Sequence, residues 1–200
     1  ELIGAVNTLV PEGDGYRGYN TDLTGLGRAL LSEGISLEGE RVILLGAGGA
    51  ARAAVFLCVL RGAKEVWLLN RTTEKAEALA GEANRAAGRE CVKPLALSDW
   101  RRIPEGSYLA VQCTKAGLFP DTESAPIEEP DFYKRIHTGY DLVYRPARTK
   151  FMRLTEEAGG KAFNGLKMLL YQGIGAYELW TGATVTEEQA RICLDRMEKE

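Results

Sequence analysis

A chain of 200 residues, 45% hydrophobic and 26% charged, can bury a substantial core and has ordinary globular composition. A net charge of −3 leaves no basic excess to cover a phosphate backbone, so nucleic acid is not an expected partner. No apolar run reaches the length of a membrane span, so no membrane partner is expected either. Cys58, Cys91, Cys113 and Cys193 lie far apart beside a single histidine, His137, which argues against a metal site. Cys58 and Cys113 read as buried thiols of a reducing, cytoplasmic compartment.

Strand-like sequence runs from Leu2 to Val10, directly after Glu1 and with no leader, as expected of a processed chain or a piece of a longer one. The turn cluster "PEGDG" follows and predicts a hairpin or loop. Thr21 or Asp22 is placed to cap a helix running to about Ser32, and "EGISLEGE" ends it. From Arg41 the rhythm becomes strand, helix, strand, helix: "RVILL", Ala50 to Arg61, "EVWLL", then a helix opening at "TTEKAEALA". Weaker strands are expected at Val92 to Leu95 and Tyr108 to Cys113, and another in "GYDLVY" from Gly139. A helix over Thr149 to Ala158 and a short "KAF" precede two last helices, Leu166 to Trp180 and Glu187 to Lys199. Thr186 and Gln189 fit a capping box for the second of these. Strands that are apolar throughout, alternating with helices, predict an α/β doubly wound fold with a parallel sheet covered on both faces.

The bend Gly46-Ala47-Gly48-Gly49-Ala50-Ala51 follows a strand and opens a helix, the context a dinucleotide fingerprint requires. Gly46 permits the tight turn, Gly48 carries no Cβ to hold a pyrophosphate away, and small Ala51 lets helix pack on strand. The helix N-terminus offers free N–H groups and partial positive charge to phosphates. A glycine-rich turn without a ligand is the plainer alternative. The next strand ends in Asn70-Arg71-Thr72, with Lys75 one turn on. An NAD site places an acidic residue where Asn70 stands. Arg71 can fork onto a 2′-phosphate and Lys75 can add charge, so NADP is expected over NAD.

Three further polar groups are candidates for a substrate site: Asn7 in "AVNT", Asp22 in "GYNTD", and Gln172 in "MLLYQGIGAYELW". Asp22 reads equally as a helix cap. Gln172 shares a helix face with Met168, Gly175 and Leu179, where its amide needs partners in the core or in a hydroxyl-rich ligand.

Together, "IGAVNTLV", "GYNTD", "LLGAGGAARA", "NRTTEKA", "CTKAGLFP", "YDLVYRPARTKFM" and "GLKMLLYQGIGAYELWTG" resemble the shikimate dehydrogenase family, including the quinate/shikimate enzymes, in order and over nearly the whole chain. The resemblance implies NADP-dependent interconversion of shikimate and 3-dehydroshikimate in aromatic amino acid synthesis, on a small-molecule substrate, with a homodimer allowed. It implies that Asn7, Asp22 and Gln172 hold substrate hydroxyls and that Tyr144 stands near the substrate carboxylate. Gly46, Ala47, Gly48, Gly49 and Ala50 would surround the pyrophosphate, with Asn70, Arg71, Thr72 and Lys75 at the adenosine phosphate. Thr114 and Gly165 would line the nicotinamide side. Asp22 would act with a catalytic lysine which, like the carboxylate-binding serines, belongs upstream of "AVNT" in the family. The expected organisation is therefore residues 1–22 as a remnant of a substrate domain, 23–165 as the Rossmann-like NADP-binding domain, and 166–200 as helices returning to the former. The 200-residue chain alone is then expected to be inactive. Leu23 replaces the family's usual glycine, and Lys115 stands where a small residue or proline is usual and reads first as a solvated surface lysine. A non-catalytic NADP-binding module, or a quinate or aminoshikimate dehydrogenase, are the alternatives.

Overall fold

The computed structural model describes residues 4–199. In chain order the elements are β1 (Thr8–Glu12), β2 (Gly15–Tyr19), α1 (Thr21–Ser32), β3 (Arg41–Leu45), α2 (Gly49–Leu60), β4 (Glu65–Asn70) and α3 (Thr73–Ala87). They continue with β5 (Val92–Ala96), β6 (Tyr108–Gln112), α4 (Pro130–Tyr133), β7 (Ile136–Asp141), α5 (Lys150–Glu157), β8 (Lys161–Phe163), α6 (Leu166–Thr181) and α7 (Glu187–Met197). A 3-10 turn at Leu97–Arg102 and the short α4 are additions to the expected elements.

The chain forms two compact units, one of Leu37–Gly165 and one that joins the chain up to Ser36 with the chain from Leu166. The first division thus falls at Ser36, not after residue 22, because α1 packs along α6 instead of joining the sheet.

In the larger unit six strands form a parallel sheet in the order β5-β4-β3-β6-β7-β8. This is the doubly wound α/β fold expected. Val42, Ile43, Leu44 and Leu45 of β3 are all fully buried, as a strand covered on both faces requires. One core cluster gathers Ile43, Leu45 and Leu69 with Trp100, Tyr108, Phe132, Tyr133 and Phe151. Trp100, Phe132, Tyr133 and Phe151 meet edge to face in succession, with centroids 5.2–5.9 Å apart. The order reverses between β3 and β6, and their carboxyl ends mark the switch point where such sheets bind ligands.

β7 begins at Ile136, before the expected Gly139, and stops at Asp141. There the Val143 N–H turns back to the Asp141 carboxylate at 2.9 Å, so Leu142–Tyr144 lie in a loop instead of a strand.

In the smaller unit the turn cluster is a hairpin: β1 and β2 pair antiparallel, Glu12 opposite Gly15, around a two-residue turn with Gly13 at φ 59°. Of the strand expected over Leu2 to Val10, Leu2 and Ile3 lie outside the described residues, and among the described ones β1 begins at Thr8. Helix α1 crosses α6 so closely that a Cβ on Gly25 would lie 2.7 Å from the Gln172 backbone nitrogen. The Thr186–Gln189 capping box forms as expected. Cys58 and Cys91 are buried, Cys113 is half-buried, Cys193 is exposed, and all four are free. Burial pushes the Cys58 thiol up to about 12, which leaves it inert as a nucleophile.

Candidate active site

Two kinds of glycine stand at the carboxyl end of β3. Gly46 is required by the protein itself: its φ is 112°, and a Cβ there would lie 3.1 Å from Thr114 Cγ2 and 3.3 Å from the Cys113 carbonyl. Its N–H donates to the Leu69 carbonyl at 2.7 Å, which ties the bend to β4. Gly48 and Gly49 differ, because a Cβ on either would meet nothing within 4 Å. Both are exposed, and Ala47 and Ala50 beside them are half-buried. Gly48 is the N-cap of α2 at φ −90°, an ordinary backbone angle, with no side-chain capping bond and no acidic residue in the first turn. The packing therefore asks for no glycine at these two positions, while the helix N-terminus behind them offers unsatisfied N–H groups to an anion. Fully buried Ala51 supplies the close contact of helix on sheet.

Asn70 ends β4, and its side-chain amide donates to the Thr72 carbonyl at 2.9 Å, fixing the turn into α3. Arg71, Thr72 and Lys75 are exposed there, and among the described residues neither Arg71 nor Lys75 has an ion-pair partner. Two unpaired cations beside a helix N-terminus, with no carboxylate at position 70, suit an added phosphate. The open glycine cradle and these cations fit a phosphorylated dinucleotide.

The loops after β6 and β7 rest on two fully buried polar side chains, Gln112 and Asp141. Asp141 Oδ1 accepts from Gln112 Nε2 at 3.2 Å and from the Val143 N–H at 2.9 Å, and Oδ2 accepts from the Thr149 hydroxyl at 2.6 Å. Gln112 Nε2 also donates to the Ala116 carbonyl at 3.1 Å, and Gln112 Oε1 accepts from the Thr114 N–H. Burial pushes the Asp141 carboxyl up to about 6, although all three donors pull it down. Gly165 packs under the second loop: its N–H donates to the Val143 carbonyl at 3.1 Å, and a Cβ would sit 2.2 Å from the Leu142 carbonyl oxygen. Thr114 is half-buried; Tyr144 and Lys115 are exposed, and Lys115 has no ion pair among the described residues. Gln112 and Asp141 escaped the sequence reading. The available signal was a polar residue closing each of two strands, apolar "YLAVQ" and mixed "IHTGYD".

In the smaller unit, Asn20 and neither Thr21 nor Asp22 caps α1, accepting from the Leu23 N–H at 3.1 Å. The Asp22 carboxylate is thereby released from the capping role. It is half-buried, and burial raises its pKa against a lowering hydrogen bond from Asn7. Asn7 lies just before β1, its Oδ1 accepting from the Thr21 N–H at 2.9 Å and from the Thr8 hydroxyl at 3.1 Å. That pattern turns the amide nitrogen of Asn7 toward Asp22. Gly25, one helical turn after Asp22, is the residue pressed on Gln172. Asn7, Asp22 and Gln172 therefore share one unit. Among the described residues no group of His, Cys, Asp or Glu is arranged to hold a metal ion. No described helix is long and apolar enough to cross a membrane.

Comparison with known proteins identifies the family. The family model for shikimate / quinate 5-dehydrogenase matches residues 29–107, and the model for the shikimate 5'-dehydrogenase C-terminal domain matches residues 165–191. The shikimate dehydrogenase (NADP(+)) of Moorella thermoacetica is 42% identical over 90% of this chain and 61% of its own length. That of Alkaliphilus metalliredigens is 37% identical over 98% of this chain and 69% of its own length. The crystal structure of the Thermus thermophilus shikimate 5-dehydrogenase in complex with NADP(H) and shikimate superposes with a TM-score of 0.78 at 36% identity, covering 98% of this chain and 69% of that one. The chain spans 61–64% of the length of the first of these curated relatives. At 37–38% identity over 68–69% of the length of two such relatives, the chain belongs to the shikimate dehydrogenase family.

Proposed function

We propose that the chain carries the NADP-binding part, and a portion of the substrate-binding part, of an NADP-dependent enzyme that interconverts 3-dehydroshikimate and shikimate. The observation that carries the nucleotide half is the contrast between Gly46, which the fold needs, and Gly48 and Gly49, which leave room that the fold does not use. The N–H groups at the start of α2 hold the pyrophosphate, and Arg71 and Lys75 hold the 2′-phosphate. NADP(H) supplies the hydride chemistry. Thr114 and Gly165 border its nicotinamide end.

Reduction of a ketone at carbon requires a proton at its oxygen. Asp22, freed from capping by Asn20 and oriented by Asn7, holds the charged partner that delivers this proton in the complete enzyme, a lysine by analogy with the family. Asn7 and Gln172 bind the hydroxyls of the ring, and Tyr144 stands on its carboxylate side. The chain up to Ser36 with α6 and α7 is the substrate-side unit in this reading, and Leu37–Gly165 the nucleotide unit.

Titration of the 200-residue chain with NADPH and NADH tests the nucleotide half. NADPH binding tighter by about tenfold or more is expected, the scale of one charge-assisted contact to the 2′-phosphate. Equal curves defeat the NADP assignment, and binding of neither defeats the whole reading. The 200-residue chain is expected to bind NADPH without reducing 3-dehydroshikimate. A complete enzyme that binds NADPH yet turns over neither shikimate nor quinate would instead support a non-catalytic module.

A further inference from the structure

We infer that Asp141 is a positioning residue that sets both loops bordering the nicotinamide end of the cofactor, acting through Gln112 and Thr149. The inference rests on the proposed binding of NADP. Strand order gives the direction: the glycine cradle ends β3, and the 2′-phosphate cations lie at the end of β4 on one side. The dinucleotide must then extend over β6 and β7 on the other side, where the loops of Thr114 and Tyr144 begin.

Both loops hang from one carboxylate. On the β6 side, Asp141 orients Gln112, whose carboxamide grips Thr114 by its N–H and Ala116 by its carbonyl. On the β7 side, Asp141 takes the Val143 N–H and the Thr149 hydroxyl directly, and so closes the ends of the loop that carries Tyr144. The linkage extends to Gly165 through the Val143 carbonyl, and to Gly117 through Thr149, whose Cβ is 3.4 Å from where a Gly117 Cβ would stand. Oδ1 serves two donors and Oδ2 one, so an ionised carboxylate satisfies all three. A carboxamide of the same shape retains one acceptor oxygen and presents N–H either to the Thr149 hydroxyl or to the Gln112 and Val143 donors. The fold can survive that exchange, but a Thr149 hydroxyl that accepts from the carboxamide loses the acceptor for its own proton, and the tie from residue 141 to the second loop weakens.

The test compares two probes on the 200-residue chain: NADPH, followed by its own fluorescence, and 2′-phospho-ADP-ribose, which lacks the nicotinamide ring, followed by calorimetry. Asp141→Asn is expected to weaken NADPH about tenfold, the effect of one misplaced hydrogen bond, and to leave the ring-less probe within about twofold. Thr149→Val should reproduce this split, and Thr149→Ser, which keeps the hydroxyl, should restore unmutated values. A merely structural role moves both probes together. An equal change in both, or no change in either, overturns the inference. Should Asp141→Asn not fold, the Thr149→Val and Thr149→Ser pair decides by the same criterion. Failure of the unmutated chain to bind either probe overturns the NADP reading and this inference with it, whereas intact binding without the split overturns this inference alone.

Discussion

Gly48→Val separates what the fold needs from what a ligand needs. An added Cβ at Gly48 meets no atom within 4 Å, and φ of −90° with ψ of −170° is backbone that valine favours. The stability loss is therefore confined to exchanging glycine for a poor N-cap, about 1 kcal/mol. For a chain of this size that lowers the melting temperature by roughly 2–4 °C. The branched side chain stands beside the first N–H groups of α2, the proposed seat of the pyrophosphate. Losing about two charge-assisted hydrogen bonds there, at roughly 1.5–3 kcal/mol each, weakens NADPH by a hundredfold or more. Gly46→Ala is the control with the opposite signature. A side chain at φ 112°, pressed within 3.1 Å of Thr114, strains the backbone by about 1–3 kcal/mol and lowers the melting temperature directly. Thermal unfolding and fluorescence titration of both variants give the four numbers needed. Normal NADPH affinity in Gly48→Val refutes the argument, as does a melting temperature that collapses in that variant.

Arg71→Ala should lose about 1.5–3 kcal/mol of NADPH binding and almost none of NADH binding, read by parallel titrations. In the complete enzyme, Asp22→Asn should lower kcat by about a hundredfold or more with NADPH affinity unchanged, as steady-state kinetics will show. Its stability should move by less than about 0.5 kcal/mol, since the cap of α1 is not touched. Asn20→Ala should instead destabilise by about 1 kcal/mol in urea unfolding, because it removes the acceptor of the Leu23 N–H. Asp141 carries a pH dependence: burial raises its folded carboxyl to about 6 from 3.8, so the folded state holds the proton more tightly than the unfolded chain. That contribution is complete below about pH 4 and is lost as pH rises through 6. Between those limits the unmutated protein should therefore lose about 3 kcal/mol relative to Asp141→Asn in urea unfolding, and a constant gap would contradict the shift.

Local chemistry made much of the molecule legible from its residues alone. A run such as "RVILL" is a strand buried on both faces because no position in it tolerates water, and β3 is so buried. Gly46 through Ala51 declared a tight turn followed by a helix, and Thr186 with Gln189 declared a helix start, because each signal acts within four residues. Asn70, Arg71 and Lys75 were singled out by their place at the end of a strand, and β4 does end at Asn70.

Contacts between distant residues belong to the tertiary structure. Asn20, Thr21 and Asp22 are all good N-caps by type, and the choice of Asn20 came with the fixing of its neighbours: Thr21 is bound to Asn7, 14 residues away. Nothing within a few residues of Gly25 explains a glycine in the helix; α6 laid against it does, and that same crossing places α1 with the terminal helices instead of with the sheet. Gln112 and Asp141 meet across 29 residues only because β6 and β7 are neighbours in the sheet and end in register. Hydrophobic periodicity states which face of an element is buried; it does not say which other element buries it, and a buried polar pair is decided by that second fact.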